Sequence, residues 1–215
     1  MLGNTAKIGD AEIGARAYDD EQEAERAFGF DIIGAGMLPV QVVFDNRDEH
    51  TFEIRGDQSF LEDHDSNLWP VLSREMAYAR ASENAQTDQV LRKGTSAGLM
   101  GAVAGALIGS AVGIVTGHHV GAIAGKGAVI GGTVGLLGGG IEGYHNPEAQ
   151  RAIAEDLRTK SLQNKTILPH TMAYGILFYP AEAAHARYLQ LYLMETDTGR
   201  SHRLVFDFSG GRKKS

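Results

Sequence analysis

The sequence predicts an α+β fold, a β-sandwich into which a long helical glycine-zipper hairpin is inserted. Short runs of alternating apolar and polar residues lie near both ends of the 215-residue chain, as expected for strands that bury one face. Between them glycine recurs at every fourth position. The pattern divides the chain into three regions. Residues 1–72 are half of the sandwich with a short helix, residues 73–163 are a helical insertion, and residues 164–215 are the second half of the sandwich with a basic tail.

The first region is predicted to hold strands at residues 11–18, 37–44, 51–54 and 59–61. A short helix follows Asp20 and ends at Phe28, because Asp20 and Glu23 have the spacing of a capping box. Residues 45–48 read as a turn, so we expect strand 51–54 to return beside strand 37–44.

The insertion begins with a helix at 73–93 and continues into a hairpin at about 95–143. Glycines spaced by four lie on one helical face and allow close approach of two helices. Close packing must offset the cost of glycine in a helix, about 1 kcal/mol per residue. The helix-packing glycines are Gly101, Gly105, Gly109, Gly113, Gly127, Gly131, Gly135 and Gly139, and the hairpin tip is Gly117, His118 and His119.

Three environments remain open for this segment. Residues 97–115 carry no charge and residues 120–141 carry only Lys126, and each predicted arm would roughly match a hydrocarbon core of about 30 Å. A membrane-inserted hairpin is therefore favoured. A soluble hairpin buried against its own domain or another subunit, and a flexible glycine-rich segment, are the alternatives.

The last region begins after a helix that starts at Asn146-Pro147 and ends at about Leu162. Strands are predicted at 171–179, 187–195 and 201–208. Residues 196–200 form a hairpin loop in which Gly199 supplies a positive φ. Because neither end of the chain has enough strands for a sandwich, the two halves are expected to share one core.

Composition and motifs argue against catalysis and nucleic-acid binding. The formal net charge is −7 and there is no cysteine, which argues against a broadly basic nucleic-acid binder and excludes thiol chemistry. Ser96 stands in a nucleophile-elbow pattern but lacks the preceding buried strand. Asp197-Thr198-Gly199 spells the aspartic-protease triplet only once, in a predicted turn. We therefore expect no catalytic residue and no cofactor.

Histidines near carboxylates offer one further candidate. His50 and His64 fall in an acidic stretch that could form a surface metal site, but a solvated acidic loop is the favoured interpretation. No metal ligand is therefore assigned from the sequence.

Five short segments together resemble a known group of proteins: residues 18–20, 28–29, 36–46, 168–171 and 175–180. They are similar to bacterial envelope lipoproteins of unassigned function. The resemblance implies that the sandwich is immunoglobulin-like and carries an inserted glycine-zipper segment. It brings no catalytic residues, and the chain has no counterpart of the lipidated cysteine.

These observations lead to an expected function. The chain is expected to be a non-enzymatic structural or assembly protein of the bacterial cell envelope, membrane-associated, at the outer membrane or in the periplasm. Its partners would be membrane lipid or other helices, in a homo-oligomer or an envelope complex. The alternatives are a pore-forming or membrane-disrupting protein and, less favoured, a serine hydrolase that uses Ser96.

Overall fold

The computed structural model describes residues 4–28, 31–85, 129–130, 162, 165–183 and 185–209. These residues form two helices, α1 (Glu21–Phe28) and α2 (Arg74–Ala85), and a 3-10 turn at Gly56–Gln58. Their strands are β1 (Thr5–Ile8), β2 (Ala11–Ala17), β3 (Met37–Asn46), β4 (Phe52–Ile54), β5 (Phe60–Asp63), β6 (Leu68–Pro70), β7 (Val129–Ile130), β8 (Thr166–Ile167), β9 (Thr171–Pro180), β10 (Ala186–Glu195) and β11 (Ser201–Asp207).

The strands make two sheets. The first has the order β1-β2-β3-β9-β7. In the second sheet β10 is the central strand. β11 pairs with one side of β10, and β5 and β4 pair with successive parts of its other side. β6 pairs with β5, and β8 pairs with β4. Every pairing is antiparallel except that of β7 with β9.

Strands from the two ends of the chain alternate within these sheets. β3 pairs with β9 from Met37↔Pro180 to Asn46↔Thr171. β10 pairs with both β4 and β5. The described strands that precede and follow the glycine-rich region are therefore parts of one folded unit.

The main core lies between the two sheets. Val40, Val42 and Phe44 of β3 are fully buried there, as their alternation predicts. The inward-facing leucines of β10 lie in the same core and are equally buried: Leu189, Leu191 and Leu193. The period-2 pattern thus identified the core-facing side of both central strands.

A second core covers the other face of the first sheet. It joins Phe28 of α1 and Ala77 of α2 to Ile176 and Phe178 of β9. The first sheet is consequently buried on both faces, which explains why β3 is buried almost without interruption.

Side-chain caps begin both helices. The Asp20 Oδ1 accepts a hydrogen bond from the Glu23 backbone N–H at 2.8 Å, as the capping pattern predicts, and α1 ends at Phe28. The Ser73 Oγ accepts one from the Met76 backbone N–H at 3.2 Å. Asp20 and Ser73 thus compensate N–H groups that have no partner within the helix.

The predicted fold class is wrong. The described residues form two packed sheets with only two helices, of 8 and 12 residues, and contain no long helical hairpin. Val129 and Ile130, predicted to belong to the second helical arm, form β7 and pair with Met172 and Ala173 of β9. β-Branched residues favour strands and their glycine neighbours disfavour helix, so a free sheet edge competes successfully here.

The pairing expected of strand 51–54 is also wrong. β4 begins at Phe52 and pairs with β8 and β10 in the second sheet, whereas β3 lies in the first sheet between β2 and β9. Residues 47–51 therefore cross from one sheet to the other. Local turn chemistry predicts a reversal of direction but does not specify the sheet that the next strand joins.

Candidate functional site

A buried carboxylate ends the central strand of the second sheet. Glu195 continues the inward-facing row of β10 leucines and is only 2% exposed. On the neighbouring strand β11, His202 pairs with Leu193 and shares the inward register of Leu204 and Phe206. Two ionisable side chains therefore lie where the apolar pattern of both strands points to the core.

Both oxygens of Glu195 are engaged. Oε1 lies 2.7 Å from His202 Nε2. Oε2 accepts a hydrogen bond from Arg200 Nε at 2.8 Å and another from the Thr198 hydroxyl. This set of donors compensates the large cost of placing a carboxylate out of contact with water.

The loop between β10 and β11 brings a second carboxylate to the same place. Gly199 has φ +73°, and its N–H bonds the Glu195 carbonyl at 2.8 Å. The Thr196 N–H bonds the Thr51 carbonyl at 2.8 Å, which holds this loop against the β3–β4 crossing. Asp197 consequently faces His50, with 2.7 Å between Oδ2 and Nδ1.

We call His50, Glu195, Asp197, Arg200 and His202 the His50 cluster. Arg200 joins its two halves, because Nη2 lies 3.3 Å from His50 Nε2 while Nε bonds Glu195. A guanidinium can only donate. In this arrangement His50 Nε2 is therefore the acceptor, and the Nδ1–H donates to Asp197.

The contacts shift the acidity of three members of the cluster. Burial raises the pKa of the Glu195 carboxyl, but hydrogen bonds from Thr198, His202 and Arg200 outweigh it and lower the pKa overall. The hydrogen bond from His50 lowers the pKa of Asp197, and the same bond raises the pKa of His50. Both carboxylates are therefore ionised at neutral pH.

The cluster presents the kinds of atoms that bind a metal ion. One ligand atom each from His50, Glu195 and Asp197 lies within 4.8 Å of the others. In the described part of the chain this is the only such group of three. His64, which the sequence offered as a partner for His50, is exposed and stands outside it.

Sequence patterns did not predict a site role for Glu195 or His202, and they predicted Asp197 only as part of a turn. A signal was present: position 195 extends the Leu189–Leu191–Leu193 alternation, and a charged residue at an inward position requires partners. The link between Asp197 and His50 spans 147 positions. No local pattern reveals such a link.

The other predicted site residues lie outside the described residues. These are the glycines at 101, 105, 109, 113, 127, 131, 135 and 139, the tip residues 117–119, and Ser96. Residues 86–93 of the predicted helix 73–93 lie outside them as well, as do residues 146–161 of the helix predicted to end at about Leu162 and the basic tail at 212–214.

Comparison with known proteins identifies no relative of this chain. No family model, curated protein or solved structure matches this chain. Among the described residues, neither helix has the length and apolar character needed to cross a bilayer.

Proposed function

We propose that the chain is a non-enzymatic structural or assembly protein of the bacterial envelope. In this proposal the two-sheet unit is a folded base, and the glycine-rich region 94–143 is the part that associates with membrane lipid or with other subunits. The observation that carries the proposal is that strands on both sides of this region belong to the same sheets.

Both flanks of the region are attached to that base. On the N-terminal side, Leu72 and Ala77 pack in the second core. On the C-terminal side, Leu162 and Ile167 are fully buried in the main core. A segment held at both flanks by one folded unit is suited to presenting its own surface to a partner.

The composition of the region supports an apolar partner. Residues 97–115 contain no charged side chain, so these side chains gain little free energy from hydration. Association with lipid or with a second copy would remove apolar surface from water, which is favourable without any directional contact. The proposal specifies no conformation for the region.

The direct test replaces residues 94–143 with a short Gly-Ser linker in the otherwise full chain. We expect a soluble protein that unfolds cooperatively but no longer binds vesicles or forms cross-linked oligomers. The deletion also removes β7, which contributes only two residues at a sheet edge. A modest loss of stability would therefore not contradict the proposal.

A matched control changes Arg212, Lys213 and Lys214 to Gln and keeps the glycine-rich region. This variant should retain association, unless electrostatic attraction to anionic headgroups alone is responsible. Unchanged vesicle binding and oligomerisation after the 94–143 replacement would contradict the proposal. Release of a trapped dye by the wild type would instead favour the pore-forming alternative.

A further inference from the structure

The His50 cluster has the dimensions of a small metal site. Ligand atoms around a tetrahedral ion at 2.0–2.2 Å stand roughly 3.4 Å apart. The nitrogen and oxygens offered by His50, Glu195 and Asp197 already lie within 4.8 Å of one another. Small side-chain rotations therefore suffice to bring all three onto one ion.

One cation already occupies the centre of this group. Arg200 Nε bonds Glu195 Oε2 at 2.8 Å, and its Nη2 reaches His50 Nε2. The Arg200 side chain is nevertheless 61% exposed, whereas that of Glu195 is 2% exposed. Arg200 can leave for solvent by side-chain rotation, but Glu195 is fixed by the strand that carries it.

A second feature typical of metal sites is an outer partner that orients a ligand. His202 Nε2 holds Glu195 Oε1 at 2.7 Å and leaves Oε2 directed at Arg200. Hydrogen bonds of this kind fix the orientation of metal-binding carboxylates. Two ionised carboxylates against one guanidinium also leave the centre with an excess of negative charge.

We propose that the His50 cluster binds one divalent transition-metal ion, best matched by Zn²⁺, through His50, Glu195 and Asp197. The nitrogen and carboxylate ligands suit Zn²⁺, and three protein ligands leave one coordination position open. On binding, the ion takes the place of the proton between His50 Nδ1 and Asp197. This proton moves through solvent to His50 Nε2, which Arg200 leaves free, so that the imidazole stays neutral. Arg200 leaves Glu195 Oε2 and is the cation that holds the site in the metal-free protein.

The test is calorimetric titration of the full chain with ZnCl₂ in a non-chelating buffer, supported by the visible absorption of Co²⁺. We expect one ion per chain. His50→Ala and Asp197→Asn should each weaken binding by roughly tenfold or more. Arg200→Met should tighten it by roughly threefold or more, since it removes the competing cation.

Matched controls separate this site from adventitious surface binding. His64→Ala removes an exposed histidine outside the cluster, and Arg203→Met makes the same charge change as Arg200→Met on an exposed β11 position. Both should bind Zn²⁺ as the wild type does. Circular dichroism melts identify any variant that fails to fold, and the gain expected for Arg200→Met cannot result from misfolding. If His50→Ala binds like the wild type, or Arg200→Met binds no tighter than Arg203→Met, the proposal is overturned.

Discussion

Individual polar groups in the interior of this protein differ sharply in how well they are satisfied. The Tyr18 hydroxyl donates to Gln41 Oε1 at 3.1 Å in the second core. The Tyr179 hydroxyl is fully buried in the main core, and within the described residues it is the one buried side-chain polar atom that has no hydrogen-bond partner. Burial accordingly raises the pKa of Tyr179.

We expect Tyr179→Phe to leave stability unchanged or to raise it by about 1–3 kcal/mol, because an unpaired buried hydroxyl carries that desolvation penalty. Tyr18→Phe is the matched control and should lower stability by about 0.5–1.5 kcal/mol, since it removes a formed hydrogen bond. Urea unfolding of both variants measures the difference. A loss of stability in Tyr179→Phe as large as in Tyr18→Phe would show that the hydroxyl has a partner.

Asp63 shows the opposite situation, a carboxylate with more donors than usual. Its oxygens accept from the Asn67 side chain and the Trp69 indole N–H, each at 2.9 Å. They also accept from the backbone N–H groups of Asp65 and Asn67. The Asn67 side-chain bond and then the Trp69 bond lower the pKa of Asp63 to about 2.

The lowered pKa of Asp63 implies a pH dependence of stability. The unfolded pKa is about 3.9, so the contribution of Asp63 is complete above that value and is lost as the pH falls towards 2. Between pH 5 and 2, the melting temperature of the wild type should therefore fall more than that of Asp63→Asn. Asp65→Asn, which alters an exposed neighbour, should follow the wild-type curve. Parallel curves for the wild type and Asp63→Asn would contradict this assignment.

At the scale of elements, one side chain joins the loops at the end of β3. Asn46 is fully buried. Its Nδ2 donates to the carbonyls of His50 and Leu168, each at 2.9 Å, and its Oδ1 accepts from the Asp48 N–H at 3.2 Å. Asn46 thus ties the crossing between the sheets to the β8–β9 loop and supports the position of His50.

We expect Asn46→Ala to destabilise the protein by about 1–3 kcal/mol, since the carbonyls of His50 and Leu168 lose their donor. Asn46→Asp should cost more, about 3–5 kcal/mol, because it places an unpaired charge against the same carbonyls. Denaturant unfolding gives the order of the three proteins. A stability of Asn46→Ala equal to that of the wild type would show that Nδ2 contributes little, and equal stabilities of the Ala and Asp variants would contradict the added cost of the charge.

Other elements show where local sequence is sufficient. The helix α1 follows from the Asp20 cap and ends at Phe28 as predicted. Gly199 adopts the expected positive φ. Strand β9 extends from Thr171 to Pro180, against a predicted 171–179. Caps, turns and alternation depend on contacts within a few residues, so a local pattern can specify them.

At the scale of the whole molecule, the sheets cannot be assembled from one end of the chain. β3 needs β9 along its whole length, and β4 and β5 need β10. Residues 1–72 expressed alone should therefore show no cooperative unfolding transition by circular dichroism or calorimetry. Mixing them with residues 162–215 should restore a transition if the missing strands are the reason. A cooperative melt of residues 1–72 alone would contradict this account.

The sequence by itself determined the positions of the main strands, the cap of α1, the Gly199 turn and the inward faces of β3 and β10. It did not determine which sheet receives β4, nor that Val129 and Ile130 pair with β9, because a strand's partner depends on distant chain segments that compete for the same edge. At Val129 and Ile130, the described part of the predicted hairpin, the helix prediction is wrong for that reason: glycine spacing is compatible with a helix but does not exclude a better partner. The His50 cluster was likewise decided by tertiary structure, since packing of two loops 147 positions apart sets the distance between His50 and Asp197.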